Sequence, residues 1–125
     1  MLKNLLLIGS GGFLGSVARY LVSQLNLTVS FHSIPVGTLL VNITGSLVIG
    51  FLTGIAEKSL ILTPEWRLFL MVGLCGGFTT FSAFANENLM LIHNGQMTTV
   101  LFYTGLSIFL GFVAVYLGYI LTNLL

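Results

Sequence analysis

Apolar residues occupy four long stretches of the chain, and short polar segments separate them. Each stretch holds about 20 residues or more, the length that a helix needs to cross the hydrocarbon core of a bilayer. The stretches run over residues 2–23, 35–56, 64–93 and 97–122. Residues that favour turns fill the segments between them, at 24–34, 57–63 and 94–96. This pattern predicts a single membrane domain, residues 1–125, with four transmembrane helices.

Composition and charge strengthen this prediction. Hydrophobic residues make up 56% of the chain and charged residues only 6%, with a mean hydropathy of +1.06, whereas a soluble domain has about 25% charged residues. The net charge of +1 gives no reason to expect nucleic acid as a partner. Cys75 is the only cysteine, so an intrachain disulfide is excluded and a zinc site has no support. We therefore expect a lipid bilayer around most of the chain.

The third stretch contains a segment that is poorly suited to a continuous helix. Gly76 and Gly77 each lower helix propensity by about 1 kcal/mol relative to alanine, and the β-branched pair Thr79 and Thr80 follows them. Threonine hydroxyls can also bind backbone groups that a helix leaves without partners. We therefore predict a break in the third helix near residues 76–80, at mid-membrane, with carbonyl groups free to bind a cation.

Two of the predicted helices carry polar side chains along one face. Thr38, Asn42 and Ser46 are spaced by four residues in the second stretch, and Tyr103 and Ser107 have the same spacing in the fourth. Hydroxyl groups in membrane helices commonly form hydrogen bonds between helices, each worth about 1 kcal/mol. An asparagine has two donors and an acceptor to satisfy, so Asn42 either binds another helix or lines a hydrated path.

Small residues and one cation share a face of the first stretch. Gly11 and Gly15, like Gly12 and Ser16, are four residues apart, a spacing that lets another helix approach closely. Arg19 continues the face of Gly11 and Gly15 by one more turn. Its guanidinium group either extends to the membrane interface, as arginines near helix ends often do, or supplies positive potential at an anion entrance.

Few other charges are present. Glu87 lies in the third stretch beyond the predicted break. It either lies near the far membrane interface or tethers a neighbouring helix or an ion, and we favour a structural role. Lys3, Lys58 and Arg67 fall on one side of the membrane and Arg19 toward the other. So small a bias fixes no single orientation by the positive-inside rule, and mixed insertion is compatible with the sequence.

Three motifs together resemble those of the Fluc family of fluoride channels, also called CrcB proteins. The motifs are Gly12-Phe13-Leu14-Gly15 with Arg19-Tyr20, Gly37-Thr38-Leu39-Leu40-Val41-Asn42, and Gly76-Gly77-Phe78-Thr79-Thr80-Phe81-Ser82-Ala83-Phe84. The likeness covers the whole chain, and its length and four-helix plan agree with the family. Ala83 departs from the pattern, because many members have a hydroxyl residue there.

The resemblance implies an all-α membrane protein that forms an antiparallel, dual-topology homodimer in the cell membrane. Each dimer would contain two narrow pores for passive fluoride export, which reduces fluoride toxicity. A structural Na⁺ at its centre would be held by the backbone carbonyls of Gly76 and Thr79, and Arg19 would lie at the aqueous vestibule. The implied pore residues are Thr38, Asn42, Phe81, Ser82, Phe84, Tyr103 and Ser107.

The chemistry of these residues suits a small, strongly hydrated anion. Amide and hydroxyl donors can replace the water that such an ion loses, whereas carbonyl oxygens would repel it. Phe81 and Phe84 are three residues apart and share a helix face, and aromatic rings have positive edges. An isolated pair of phenylalanines usually indicates ordinary packing, and here the neighbouring break and the family resemblance favour a pore.

Two other classes of protein have sequences of this kind. A small proton-coupled multidrug transporter is also a four-helix dimer, but it needs a titratable carboxylate in its cavity, for which Glu87 is the only candidate. A non-transporting assembly subunit needs only the small-residue faces. Protonophore-sensitive drug efflux would identify the transporter, and absence of ion flux the subunit. We do not expect an enzyme, because His32 and His93 lie in or beside loops, and no nucleophile, base and orienting group can be placed together.

Overall fold

The computed structural model describes residues 1–28, 30–58 and 62–124, and helices dominate it. Two short strands, β1 (Ser30–Phe31) and β2 (Ile34–Pro35), form an antiparallel pair before the second long helix. In chain order, the helical elements are α1 (Leu2–Ser23), α2 (Leu25–Thr28), α3 (Val36–Lys58), α4 (Pro64–Arg67), a π-helical segment (Leu68–Cys75), α5 (Gly76–Phe78), α6 (Phe81–His93), α7 (Met97–Leu121) and a 3₁₀ turn (Thr122–Leu124).

Four helical stretches of the described residues are long and apolar enough to cross a membrane. They are Leu2–Thr28, Val36–Lys58, Pro64–His93 and Met97–Leu124. The prediction of an all-helical protein with four membrane-spanning helices is therefore confirmed. Residues 59–61 of the predicted connection 57–63 lie outside the described residues, as does residue 125.

Local sequence explains where the third stretch begins. The hydroxyl Oγ1 of Thr63 accepts a hydrogen bond from the backbone N–H of Trp66 (3.4 Å), and Pro64 occupies the first turn. Proline suits that position because its missing N–H would have no helical partner there, and threonine is a favourable N-cap. Thr63 and Pro64 together set the start of this helical stretch at residue 64.

The connection predicted as a loop over residues 24–34 contains regular structure. It holds α2 and β1, and β2 begins at its last residue, with Phe31 paired to Ile34. His32 and Ser33 form the two-residue turn between the strands, and both have positive φ angles, 49° and 64°. Such turns usually contain Asn-Gly or Asp-Gly, so the sequence carries no recognisable hairpin signal.

The third stretch changes its backbone conformation at the two threonines rather than at the glycines. Gly76 and Gly77 are helical, in α5, whereas Thr79 and Thr80 are extended, with ψ angles of 154° and 119°. The glycine pair therefore does not itself interrupt the helix, and the extended residues lie within the predicted segment 76–80. A Cβ on Gly77 would lie 2.5 Å from the carbonyl oxygen of Gly12, so Gly77 is required for close packing on α1.

Glycines allow close contact at two helix interfaces. Where α1 packs on the π-helical segment, a Cβ on Gly11 or Gly15 would collide with backbone carbonyls of that segment. Where α3 packs on α7, a Cβ on Gly50 would collide with the Val115 carbonyl, and one on Gly118 with that of Leu47. The predicted small-residue faces are therefore helix-packing faces.

Large apolar side chains cover much of the outer surface. Exposed examples occur on all four long stretches, such as Phe13, Val48, Phe81 and Phe112. The fully buried set is small and includes Val41 and Tyr103. Exposed apolar area of this extent is unfavourable in water but suits contact with lipid or another subunit, which agrees with a multi-pass membrane protein.

Candidate functional site

Asn42 binds the extended pair of residues between α5 and α6. Its Oδ1 accepts a hydrogen bond from the backbone N–H of Thr80 (2.8 Å), and its Nδ2 donates to the carbonyl oxygen of the same residue (3.0 Å). The amide thus satisfies two backbone groups that extended geometry removes from helical pairing. Because the amide nitrogen carries two hydrogens, one remains for another acceptor.

The extended residues also divert amides away from two carbonyl groups. In a continuous helix, the N–H of Thr80 would donate to the carbonyl of Gly76, and that of Ala83 to the carbonyl of Thr79. Instead, the Thr80 N–H binds Asn42, and the Ala83 N–H binds the Oγ1 of Thr80 (3.1 Å). Gly76 and Thr79 therefore lose their helical donors, and these are the two carbonyls that the family resemblance assigns to Na⁺.

Phenylalanine and tyrosine rings follow the extended residues in a connected series. The ring centroid of Phe84 lies 5.8 Å from that of Phe81 and 5.1 Å from that of Tyr103, with tilted planes in both pairs. Phe81 is 79% exposed, whereas Tyr103 is fully buried. Ser82 follows Phe81 in the chain, and its Oγ lies 3.4 Å from Oγ1 of Thr80. The series thus runs from the surface into the interior.

Glu87 joins two of the hydroxyl groups that the sequence assigns to the pore. The hydroxyl of Thr38 donates to its Oε1 (2.5 Å), and the hydroxyl of Tyr103 donates to its Oε2 (2.7 Å). Asn26 also donates to Oε1 through its Nδ2 (3.3 Å). Glu87 therefore connects α6 to α2, α3 and α7.

Thr80 lines two cavities. One, of about 250 Å³, is lined by Ser16, Arg19, Tyr20, Ser23, Thr38, Val41, Thr80 and Ala83. The other is an open groove of about 270 Å³, lined by Asn42, Thr79, Thr80, Phe81, Phe84, Ser107 and Ile108. The structure thus places Arg19 and Thr38 around one cavity and the two phenylalanines and Ser107 around the other, with Thr80 in the lining of both.

Ser107 has a local partner as well. Its hydroxyl donates to the carbonyl oxygen of Tyr103 (2.7 Å), one turn earlier in α7. A hydroxyl that donates within its own helix still has oxygen lone pairs, but it must rotate to donate to an ion. In this conformation Ser107 lines the groove without pointing its hydrogen into it.

The sequence prediction of the site did not include Asn26 or Glu87. The position of Glu87 could have been anticipated, because it lies three residues after Phe84 and therefore on the same face of α6. Asn26 had no such signal, since it lies in a predicted loop and its partners, Thr38 and Glu87, are 12 and 61 residues away. Only the folded arrangement brings them together.

Comparison with known proteins places the chain in a family. A family model described as CrcB-like protein, Camphor Resistance (CrcB), matches residues 6–119. The chain belongs to the CrcB family. The resemblance inferred from the three motifs is therefore confirmed.

Three relatives of this CrcB chain are each named fluoride-specific ion channel FluC. The relative from Chlorobium luteolum is 48% identical over 94% of this chain and 90% of its own length. The relative from Azobacteroides pseudotrichonymphae is 43% identical over 98% of both chains, and that from Rhizobium meliloti is 44% identical over 94% of both. These CrcB relatives are ion channels by name, and not enzymes.

Proposed function

We propose that this chain conducts fluoride passively across the cell membrane and so lowers the fluoride concentration inside the cell. Family membership and the names of the relatives support fluoride as the ion. One observation carries the proposal for the path: the Asn42 amide binds the backbone of Thr80, a residue that lines both the Arg19 cavity and the Phe81 groove. We infer an anion path past Thr80, whose backbone this amide binds.

Arg19 gives the entrance its charge. It lines one cavity together with the hydroxyl-bearing residues Ser16 and Thr38. A cation in a recess with low-dielectric walls raises the local concentration of anions. The hydroxyl groups next to it can then begin to replace the water around the ion, as a selective path for fluoride requires.

Beyond the entrance, the path offers hydrogen-bond donors and positive ring edges. The second N–H of Asn42 supplies a donor, and the edges of Phe81 and Phe84 supply weaker positive potential on the groove side. Ser107 contributes a donor when its hydroxyl rotates away from the carbonyl of Tyr103. No step requires ATP or a change in covalent structure.

Glu87 competes with the ion for part of this path. The hydroxyls of Thr38 and Tyr103 both donate to its carboxylate, so neither hydrogen is available to fluoride in the described conformation. For these hydroxyls to serve the ion, at least one of these two hydrogen bonds has to open. The hydroxyls of Thr38 and Tyr103 therefore stay bonded to the Glu87 carboxylate until fluoride replaces it as their acceptor.

We also propose that two copies of the chain assemble in opposite orientations, with one fluoride path along each side of the interface. Phe81 is 79% exposed on the single chain, and Gly76 has no atom within 4 Å of the place where a Cβ would stand. Both residues adjoin open grooves that contain Asn42 and Thr79. A second subunit over these grooves would convert an open surface into an enclosed path.

The carbonyl groups of Gly76 and Thr79 fit a hard cation such as Na⁺ in that dimer. Both have lost their helical donors, and hard cations prefer oxygen ligands. Among the described residues, no group of three or more His, Cys, Asp and Glu side chains could hold a metal ion, so a cation here would depend on carbonyl oxygens. When bound, the cation supplies positive charge that lowers the cost of an anion nearby.

Substitution at Phe81 tests the path. Phe81→Ile keeps an apolar side chain but removes the ring edge, and a side chain that is 79% exposed makes few contacts to lose. Phe112→Ile is the matched control, because Phe112 is 75% exposed on α7 and does not line the groove. We expect fluoride efflux from liposomes, followed with a fluoride electrode, to be nearly abolished by Phe81→Ile and unchanged by Phe112→Ile. Equal flux in the two variants would remove Phe81 from the path.

A further inference from the structure

The side-chain amide of Asn26, in α2, forms hydrogen bonds through both its oxygen and its nitrogen. Its Oδ1 accepts hydrogen bonds from the backbone N–H groups of Gly37 (2.6 Å) and Thr38 (3.4 Å) in the first turn of α3. Its Nδ2 donates to the hydroxyl oxygen of Thr38 (3.1 Å) and to Oε1 of Glu87 (3.3 Å). One side chain thus caps a membrane helix and binds the carboxylate beside the proposed path.

The backbone around Asn26 is built for this close contact. A Cβ on Gly37 would lie 2.7 Å from the carbonyl oxygen of Val22 and 2.8 Å from Oδ1 of Asn26. Any larger residue at position 37 would therefore push α3 away from the amide. The absence of a side chain at Gly37 keeps the start of α3, and with it Thr38, against Asn26.

Neutral groups alone hold the Glu87 carboxylate within the described part of the chain. Its hydrogen-bond partners there are Asn26, Thr38 and the phenol of Tyr103, and no described lysine or arginine forms an ion pair with it. Arg19 lines a cavity together with Thr38, one of these partners. With no ion pair to fix it, the carboxylate depends on these three donors for its direction.

We propose that Asn26 is a positioning residue for ion conduction: it fixes the start of α3 and directs the Glu87 carboxylate toward the hydroxyl of Thr38. The hydrogen bond from Nδ2 of Asn26 to Oε1 of Glu87 sets how readily Glu87 releases the hydroxyls of Thr38 and Tyr103 to a passing anion. This role rests on the proposed function, because it acts through Glu87 on the fluoride path.

Asn26→Asp separates the two roles of the amide. The introduced carboxylate keeps the acceptor that caps α3, but it loses the donor and places a second negative charge next to Glu87. Two carboxylates at hydrogen-bond distance share one proton when the pH is low enough, and the shared proton then restores a donor. The variant should therefore conduct at low pH and lose conduction as the pH rises, while the helix cap persists throughout.

The experiment measures fluoride efflux from liposomes that are reconstituted at about pH 5.5 and then moved in steps to about pH 8 and back, with protein-free liposomes subtracted. Relative to the unmodified protein at each pH, we expect Asn26→Asp to lose about tenfold in flux at high pH, the equivalent of one hydrogen bond to a charged group, and to recover when the pH is lowered. Recovery in the same vesicles shows that the loss is not unfolding. Adding Glu87→Gln should remove the pH dependence, because an amide at position 87 can donate to the introduced carboxylate.

Two further variants complete the test. Asn26→Ala removes both ends of the amide and should lower flux at every pH, without recovery. Thr63→Ala removes a helix cap that is not connected to Glu87, and its flux should match the unmodified protein. The flux of Asn26→Asp relative to the unmodified protein could prove independent of pH, or its pH dependence could persist when Glu87→Gln is added. Either result would leave Asn26 with no role beyond capping α3. If the unmodified protein passes no fluoride, the proposed function fails instead.

Discussion

The contact between Asn42 and Thr80 makes a strong prediction about stability. Asn42→Leu keeps a side chain of similar volume but removes both hydrogen bonds to Thr80. Because Thr80 is buried, its N–H and carbonyl groups are then left without these partners, at a cost of about 1–3 kcal/mol each. We therefore expect the unfolding free energy to fall by about 2–6 kcal/mol.

The single cysteine provides the assay. Cys75 is buried, with 5% of its surface exposed, so a thiol-reactive fluorescent dye labels it only as the protein unfolds. Melting curves in detergent should shift to markedly lower temperature for Asn42→Leu. Thr44→Val is the control on the same helix, because the hydroxyl of Thr44 donates to carbonyl groups of α3 itself (2.6 and 3.2 Å), and it should shift the curve little. Indistinguishable curves for the two variants would refute the reasoning.

Two other substitutions test the packing and the hydroxyl network. Gly118→Ala forces a Cβ into the carbonyl of Leu47 and should destabilise the protein by about 1–3 kcal/mol, whereas Gly105→Ala, at a position with no atom within 4 Å, should not. Equal melting temperatures would contradict the close α3–α7 contact. Tyr103→Phe removes the donor to Oε2 of Glu87 but leaves the ring in place, so we expect lower fluoride flux with the four-helix fold retained. Unchanged flux and unchanged melting temperature would exclude the phenol from the path.

The sequence predicts the long helices well because each one must present apolar side chains over the full thickness of a bilayer. α1 has the predicted bounds, Leu2–Ser23, and α3 differs from its prediction by only one and two residues at its ends. The positive φ angles of His32 and Ser33 escaped prediction, since neither residue is typical of such turns. A local sequence pattern does not predict a backbone conformation that tertiary contacts determine.

Glycine spacing identified a packing face on α1, whereas the extended residues of the predicted segment 76–80 are the threonines and not the glycines. Gly11 and Gly15 bring α1 against the third stretch, as their spacing indicates. Gly77 has the same function from the other side of that interface, where its close contact with Gly12 outweighs its low helix propensity. The extended residues, Thr79 and Thr80, follow Phe78, and Asn42 of α3 forms hydrogen bonds with the backbone of Thr80.

The candidate site could be predicted only in part for the same reason. Motifs supplied the residue types, and helical spacing placed Thr38 with Asn42, and Phe81 with Phe84. The hydrogen bonds that join Thr38, Glu87 and Tyr103 connect residues 49 and 16 positions apart. Such pairs depend on how three helices pack, which no spacing along a single helix reveals.

Selective passive flux is the most direct test of the central claim. Purified protein in liposomes loaded with fluoride and chloride, without ATP or a proton gradient, should release fluoride rapidly once a potassium ionophore compensates the charge. Chloride should remain inside. Release of both ions at similar rates, or of neither, would contradict a fluoride path built from Arg19, Asn42 and Phe81.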